Sequence, residues 1–262
     1  MSLPHSFNKT GGEQVKKALI TAAGILFWLI VWQIAAIAVN SRILLVSPID
    51  VVVRLSELVV MADFWGSVLF SAARIMLGFF LGLVTGTLLA VLSGKFRVIR
   101  VIFSPLISVM KSIPVASFTI LALFWISSEN LSVLVTFLIC TPIVCSNMQA
   151  GIDSLDPKLE EMSKVFKIPS WRRFSRVYLS QLMPHFRSAS ALAIGLSWKS
   201  GAAAEVIGIP DGSIGEKLFM SKIYLETADL FAWTAAVILL SLLCEKLFLL
   251  LVGILQKKIE RI

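Results

Sequence analysis

Apolar residues in this chain come in long runs separated by short charged intervals. The runs are Ala18–Val39, Ser67–Leu92, Val101–Ile126, Leu131–Ala150, Pro184–Ala204 and Phe231–Gly253. Each is close to the roughly 20 residues that a helix needs to cross a bilayer. The pattern predicts an all-α, polytopic membrane protein with about six transmembrane helices. Residues 18–256 form one transmembrane domain, flanked by polar tails at 1–17 and 257–262. The first run is too long for a signal-peptide core and lacks a small-x-small cleavage site. Between the first two runs, residues 40–66 mix apolar positions with Asp50, Arg54, Glu57 and Asp63. That mixture predicts an amphipathic helix lying on the outer surface. The third run carries Pro105 and Pro114 and is expected to be one kinked span.

Within the second run Gly78, Gly82, Gly86, Ala90 and Gly94 recur every four residues. They make a ridge of small residues along one helix face, which lets a neighbouring backbone approach closely. Gly78, Gly82 and Gly86 are the packing residues expected from it. The neighbour is either another helix of this chain or one from a second copy.

Composition agrees with the membrane assignment. With 57% hydrophobic and 15% charged residues, the chain is too poor in charge for a soluble domain of its length. A net charge of +8 raises the question of nucleic acid, but the basic residues cluster beside the apolar runs. Fifteen of the 24 Lys and Arg fall in the two tails, the 95–100 loop and the 151–183 segment. Placing those segments inside satisfies the positive-inside rule, with both termini cytoplasmic. Cys140, Cys145 and Cys244 lie in apolar runs without ligand spacing, so neither a disulfide framework nor a metal site is expected.

The longest polar stretch, Gly151–Pro184, has the local signals of a helix hairpin. Asp156 is placed to N-cap a first helix that opens with Pro157, and Glu160 and Glu161 suit the positive end of its dipole. Leu159, Met162 and Phe166 share one face. Pro169 ends that helix, and Ser170 can cap a second from Trp171. The apolar face needs a cover, from the protein's own spans or from another protein.

This stretch resembles the cytoplasmic loop of the ABC importer permeases, the EAA-loop family of binding-protein-dependent transport. Glu161, Met162 and Ser163 stand at the Glu-Ala-Ala positions, and Lys167 stands where Gly is usual. Val177 and Leu179 match the later apolar positions, and Ser180 replaces a Pro. Two departures, Lys167 and Ser180, predict altered turn geometry, with Pro184 supplying the next helix start. Lys111-Ser112-Ile113-Pro114 resembles the family's segment before a kinked span. Ser47-Pro48, Ser71-Ala72-Ala73-Arg74 with Gly78, and Gly201–Glu205 look like the nitrate, sulfonate and taurine branch. The resemblance implies a homodimer of permease subunits in the cell membrane above two cytoplasmic ATPase subunits. It also implies a separate extracytoplasmic substrate-binding protein. ATP and Mg would reside on the ATPase, with no cofactor on this chain. It assigns Glu161, Met162, Ser163, Phe166 and Lys167 to ATPase coupling.

The residues offer no catalytic constellation. His5 and His185 have no triad partner, and there is no GxxxxGK[ST] phosphate loop. Charged residues within the runs are Arg74, Lys111, Lys199, Glu205, Glu245 and Lys246, each costly in lipid. Lys111, Pro114, Lys199 and Glu205 are the candidates for a translocation path. Lys199 and Glu205 lie on nearly opposite helix faces, so a direct pair requires a break near Gly201. The solute is small and polar: a sulfonate, nitrate or taurine-like anion fits, as does a small heterocycle. A secondary transporter or channel needing no ATPase is the alternative, and a membrane-embedded enzyme is a third class for which no constellation is found.

Overall fold

A computed structural model describes residues 9–41, 43–173 and 178–261, with the side chains of some residues in the terminal and hairpin helices excepted. Eleven helices and no strand occur among the described residues. They are α1 (Lys9–Val39), α2 (Pro48–Val60), α3 (Ala62–Lys95), α4 (Arg97–Ser112), α5 (Val115–Ala122) and α6 (Ser128–Asp153). The hairpin holds α7 (Pro157–Val165) and α8 (Ser170–Arg173), and α9 (Leu179–Gly208), α10 (Ile214–Ile223) and α11 (Thr227–Arg261) follow.

Segments Leu19–Val39, Ala62–Lys95, Ser128–Asp153 and Thr227–Ile254 are long and apolar enough to cross a membrane, and the α4–α5 pair makes a fifth if counted as one span. Helix α9 has the length for a sixth, with 30 residues, but carries Arg187, Lys199 and Glu205. Both tails begin or end in helix, since α1 starts at Lys9 and α11 runs to Arg261.

Helices α3, α6 and α9 form the centre. Their shared core contains Ile75, Phe79, Leu83, Cys140, Val144, Met148, Ile194 and Trp198. The small-residue ridge of α3 lies against α6 of the same chain. A Cβ added at Gly78 would sit 2.5 Å from the Val133 carbonyl oxygen, and one at Gly82 2.6 Å from Cys140 Cβ. One at Gly86 would sit 2.7 Å from the Thr141 carbonyl oxygen. Backbone-to-backbone approach this close is possible only without side chains on the ridge. A second core joins α2, α3, α10 and α11, where Phe64 and Trp233 stack with centroids 4.9 Å apart. Helix α1 is peripheral. It meets α2, and its Trp32 ring lies 5.8 Å from that of Phe231 on α11.

Three expectations need correction. The third run is not one kinked span: α4 and α5 meet at 101° across Ile113-Pro114. Both break residues are extended, with ψ of 122° and 113°. Pro105, Pro142 and Pro184, by contrast, lie inside helices. Pro184 therefore does not start α9, which begins five residues earlier. The short amphipathic helix expected within 40–66 is α2, which stops at Val60 because Met61 is extended and Asp63–Gly66 already belong to α3. Ser47 caps that helix by accepting from the Asp50 N–H at 3.1 Å. Finally, the turn at Lys167 keeps the glycine-type geometry, as described next.

Candidate functional site

The hairpin is built by its caps. Asp156 Oδ1 accepts from the Lys158 N–H at 2.8 Å, and Pro157 opens α7. Lys167 has φ of +49°, and the Ile168 N–H reaches back to the Ser163 carbonyl at 3.0 Å. This is a left-handed helix stop with the hydrogen bond of a Schellman motif. Lys carries a Cβ into a conformation that Gly enters freely, at a cost of about 1–2 kcal/mol. Pro169 follows at once and prevents helix continuation. The Asp156 N–H donates to Gln181 Oε1 at 3.0 Å, which ties the hairpin's start to α9.

Ser163 is buried, whereas Glu161, Met162, Phe166 and Lys167 are exposed. Val165, Phe166 and Trp171 are 77%, 71% and 73% exposed, so the protein's own spans do not cover this apolar surface. Val177 lies outside the described residues; Leu179 and Ser180 form the first turn of α9.

At the other end, Glu205 is fully buried. Its Oε2 accepts from Ser71 Oγ at 2.6 Å and from the Gly215 N–H at 3.4 Å. Ser71 Oγ in turn accepts from the Ile214 N–H at 2.9 Å. The carboxylate thus sits at the N-terminus of α10, where dipole and free N–H groups favour negative charge. It joins α3, α9 and α10. Ile209, at φ +48°, ends α9 just before Pro210. No break occurs near Gly201: α9 is continuous, Lys199 is exposed and Glu205 faces the opposite side. Gly201 instead allows Ile75 within 2.6 Å of where its Cβ would be.

Two arginines make three ion pairs at the ends of helices. Arg54 on α2 binds Asp229 through both oxygens, one at 3.0 Å, and Glu57 at 2.7 Å. Asp229, then Glu57, hold its proton more tightly than usual. Arg74 reaches the Glu129 carbonyl at 2.6 Å and its carboxylate at 3.6 Å.

A cavity of about 350 Å³ opens between α3, α4 and α6, its wall shared between polar groups and the apolar Phe103, Ile107, Cys145 and Ala150. Lys111, Ser104, Ser108, Ser146 and Gln149 line it, with Arg100 and Asp153 at one end. Arg100 and Asp153 form a two-bond pair at 3.0 and 2.7 Å. Pro114 borders a separate, shallower hollow with Ser108 and Ser112. The four path candidates are therefore dispersed: Lys111 and Pro114 border these two hollows, and Lys199 and Glu205 are not among the residues lining them.

Sequence reasoning missed Ser71 as the partner of Glu205, because 134 positions separate them. It also missed the cavity's serines and Gln149. Their signal was present: Arg100, Ser104, Ser108 and Lys111 recur at helical spacing on one face of α4. No group of acidic, His or Cys residues able to hold a metal occurs among the described residues.

Comparison with known proteins places this geometry. A relative of Bacillus subtilis (strain 168), assigned as the aliphatic sulfonates transport permease protein SsuC, is 25% identical over 240 residues, covering 87% of this chain and 86% of the relative. The nitrate import permease protein NrtB of Leptolyngbya laminosa is 22% identical, covering 81% of this chain and 78% of that protein. The bicarbonate transport system permease protein CmpB of Synechococcus elongatus is 24% identical, covering 81% and 79%. Among solved structures, the crystal structure of an amino acid ABC transporter with histidines superposes with a TM-score of 0.56 at 17% identity. It covers 79% of this chain and 96% of that one, which supports the fold. Residues 78–261, well over half of the chain, match the family described as binding-protein-dependent transport system inner membrane component, and this multi-pass helical protein belongs to that family.

Proposed function

We propose that the chain is the permease subunit of an ATP-driven importer for a small anion of the sulfonate, nitrate or bicarbonate kind. It has no enzymatic role of its own. ATP and Mg are held by separate cytoplasmic ATPase subunits, and a substrate-binding protein delivers the solute from outside. A second copy of this chain completes the path. The protein sits in the cell membrane with both termini and the hairpin in the cytoplasm, the orientation that the basic residues favour.

The single observation that carries this reading is the hairpin's uncovered apolar surface in a chain of this family. Val165, Phe166 and Trp171 are exposed beside a turn stopped in the left-handed conformation at Lys167. An apolar patch exposed outside the spans marks a protein interface. Glu161, Met162, Phe166 and Lys167 are the exposed residues assigned to it, with Ser163 buried behind them. A nucleotide-driven change in the ATPase pair shifts the hairpins, and the spans open alternately to each side. Lys111 and Pro114 are assigned to the path; Lys199 and Glu205 are not, given where they lie.

The test is co-purification from the native membrane. A stoichiometric ATPase is expected with the wild-type chain and its loss with Glu161→Lys, while membrane insertion is unchanged. Retention of the ATPase by that variant refutes the assignment of Glu161. A wild-type chain that carries no ATPase after gentle extraction refutes the importer reading and favours a gradient-driven transporter or channel.

A further inference from the structure

We propose that the cavity between α3, α4 and α6 is an anion-binding site on the inner half of the path, and that Lys111 is the charge that selects a small monovalent oxyanion. The inference rests on the importer reading for its place in transport, but not for its chemistry. The cavity's balance of charge is the first argument. Arg100 is matched bidentately by Asp153. Among the described residues Lys111 has no carboxylate within ion-pair reach. One positive charge is therefore left without a counterion in a space of about 350 Å³.

The second argument is the rest of the wall. Ser104, Ser108 and Ser146 offer hydroxyl donors, and Gln149 an amide. These groups bind oxyanion oxygens without requiring a second full charge. A neutral heterocycle would offer the Lys111 ammonium, which is exposed on α4, no opposite charge. A dianion would exceed the single net charge. The third argument is the placement of α4. Its opposite face carries Val98, Ile102 and Val109, all exposed and apolar. Helix α4 thus turns its polar face to the cavity and its apolar face outward, as a helix lining an aqueous path in lipid must. The Arg100–Asp153 pair stands at the end of the cavity nearest the hairpin, four residues before α7 begins. Any anion leaving inward passes it.

The test uses the full chain in lipid nanodiscs, with Ser104→Cys or Ser146→Cys introduced singly and the unsubstituted chain as the blank. Each cysteine is labelled with an anionic methanethiosulfonate (the ethylsulfonate) and with its cationic trimethylammonium counterpart. Lys111→Gln is expected to slow the anionic reagent about tenfold, the factor a unit charge roughly 6 Å away gives at an effective dielectric near 40. Lys111→Arg restores the rate. Nitrate and methanesulfonate slow labelling when Lys111 is present and have no effect in Lys111→Gln. Equal rates for the two reagents after correction for their free-thiol reactivity, a preference that survives Lys111→Gln, or failure of both cysteines to react overturns the site. ATPase co-purification is measured on the same samples. An ATPase retained without anion preference sinks the site and leaves the importer reading intact. An anion preference in a chain that never carries an ATPase keeps the site and sinks the importer.

Discussion

Replacing Gly78 by alanine tests whether the α3–α6 contact holds the centre of the molecule together. The new Cβ would meet the Val133 carbonyl oxygen at 2.5 Å and Thr136 Cβ at 2.8 Å. Non-bonded atoms settle at about 3.5–4.0 Å, so the two helices must part locally by about 1 Å. Both obstacles are rigid: one is backbone, the other a β-branched Cβ. Between spans in lipid there is little hydrophobic drive, and dispersion contacts carry the association. An overpacked contact of this kind costs about 1–3 kcal/mol. Alanine also gains about 1 kcal/mol over glycine in helix propensity, which acts in the opposite direction.

A control on the same helix separates the two effects. Nothing lies within 4 Å of a Cβ at Gly66, so Gly66→Ala carries the propensity gain alone. Gly78→Ala is therefore expected to be about 1–3 kcal/mol less stable than Gly66→Ala. The assay is unfolding of the purified protein in mixed micelles by titration with dodecyl sulfate, followed by circular dichroism. If the two variants agree within about 0.5 kcal/mol, the range of changes that touch nothing, the close contact does not exist as described and the ridge is not a packing device.

Two further outcomes follow from the site geometry. Lys167→Gly relieves the left-handed Cβ and is expected to stabilise the hairpin turn by about 1 kcal/mol, read as roughly fivefold slower amide exchange around residues 163–168; unchanged exchange refutes the turn's strain. Glu205→Ala leaves Ser71 Oγ and the N-terminus of α10 without their acceptor, costing about 1–3 kcal/mol, and exposes the 209–213 loop to protease, with Glu205→Gln intermediate because its amide oxygen can still accept; equal protease resistance in all three proteins refutes the latch.

The spans and the hairpin caps were legible because they depend on neighbours in sequence. Runs of apolar residues, Asp156 before Pro157 and Pro169 after Lys167 act within a few positions. The ridge of α3 was legible as a ridge, but its partner was not, since Val133 and Cys140 lie on α6. Pro114 and Pro105 look alike in sequence, yet only the Ile113-Pro114 step breaks the chain, while Pro105 is absorbed inside α4. A helix can tolerate the lost N–H of proline where other packing holds it straight. Glu205 was visible as a charge in an apolar run, but Ser71 and the N-terminus of α10 had to be brought to it by the fold. Lys167 was read as altering the turn. The local sequence instead imposes the left-handed stop even on a residue that resists it.

The contacts also indicate where the molecule is stiff and where it can give. Helices α6 and α9 are the two that lead into and out of the hairpin, and Gln181 on α9 is bonded to its first residue. Both are locked to α3, α6 through the glycine ridge and α9 through the Gly201–Ile75 approach and the Ser71–Glu205 bond. Interfaces packed to this density do not deform continuously. A displacement of the hairpin therefore moves α3, α6 and α9 as a block and reaches the outer loop through Glu205. Helix α4 is different: no residue on it is buried. At its far end the Ile113-Pro114 step has extended angles and lacks one N–H donor, so it has no helical hydrogen-bond ladder to break. Near the hairpin α4 is held to the block by the half-exposed Arg100–Asp153 pair. The geometry thus concentrates relative movement between α4 and the central block, along the walls of the cavity that contains Lys111.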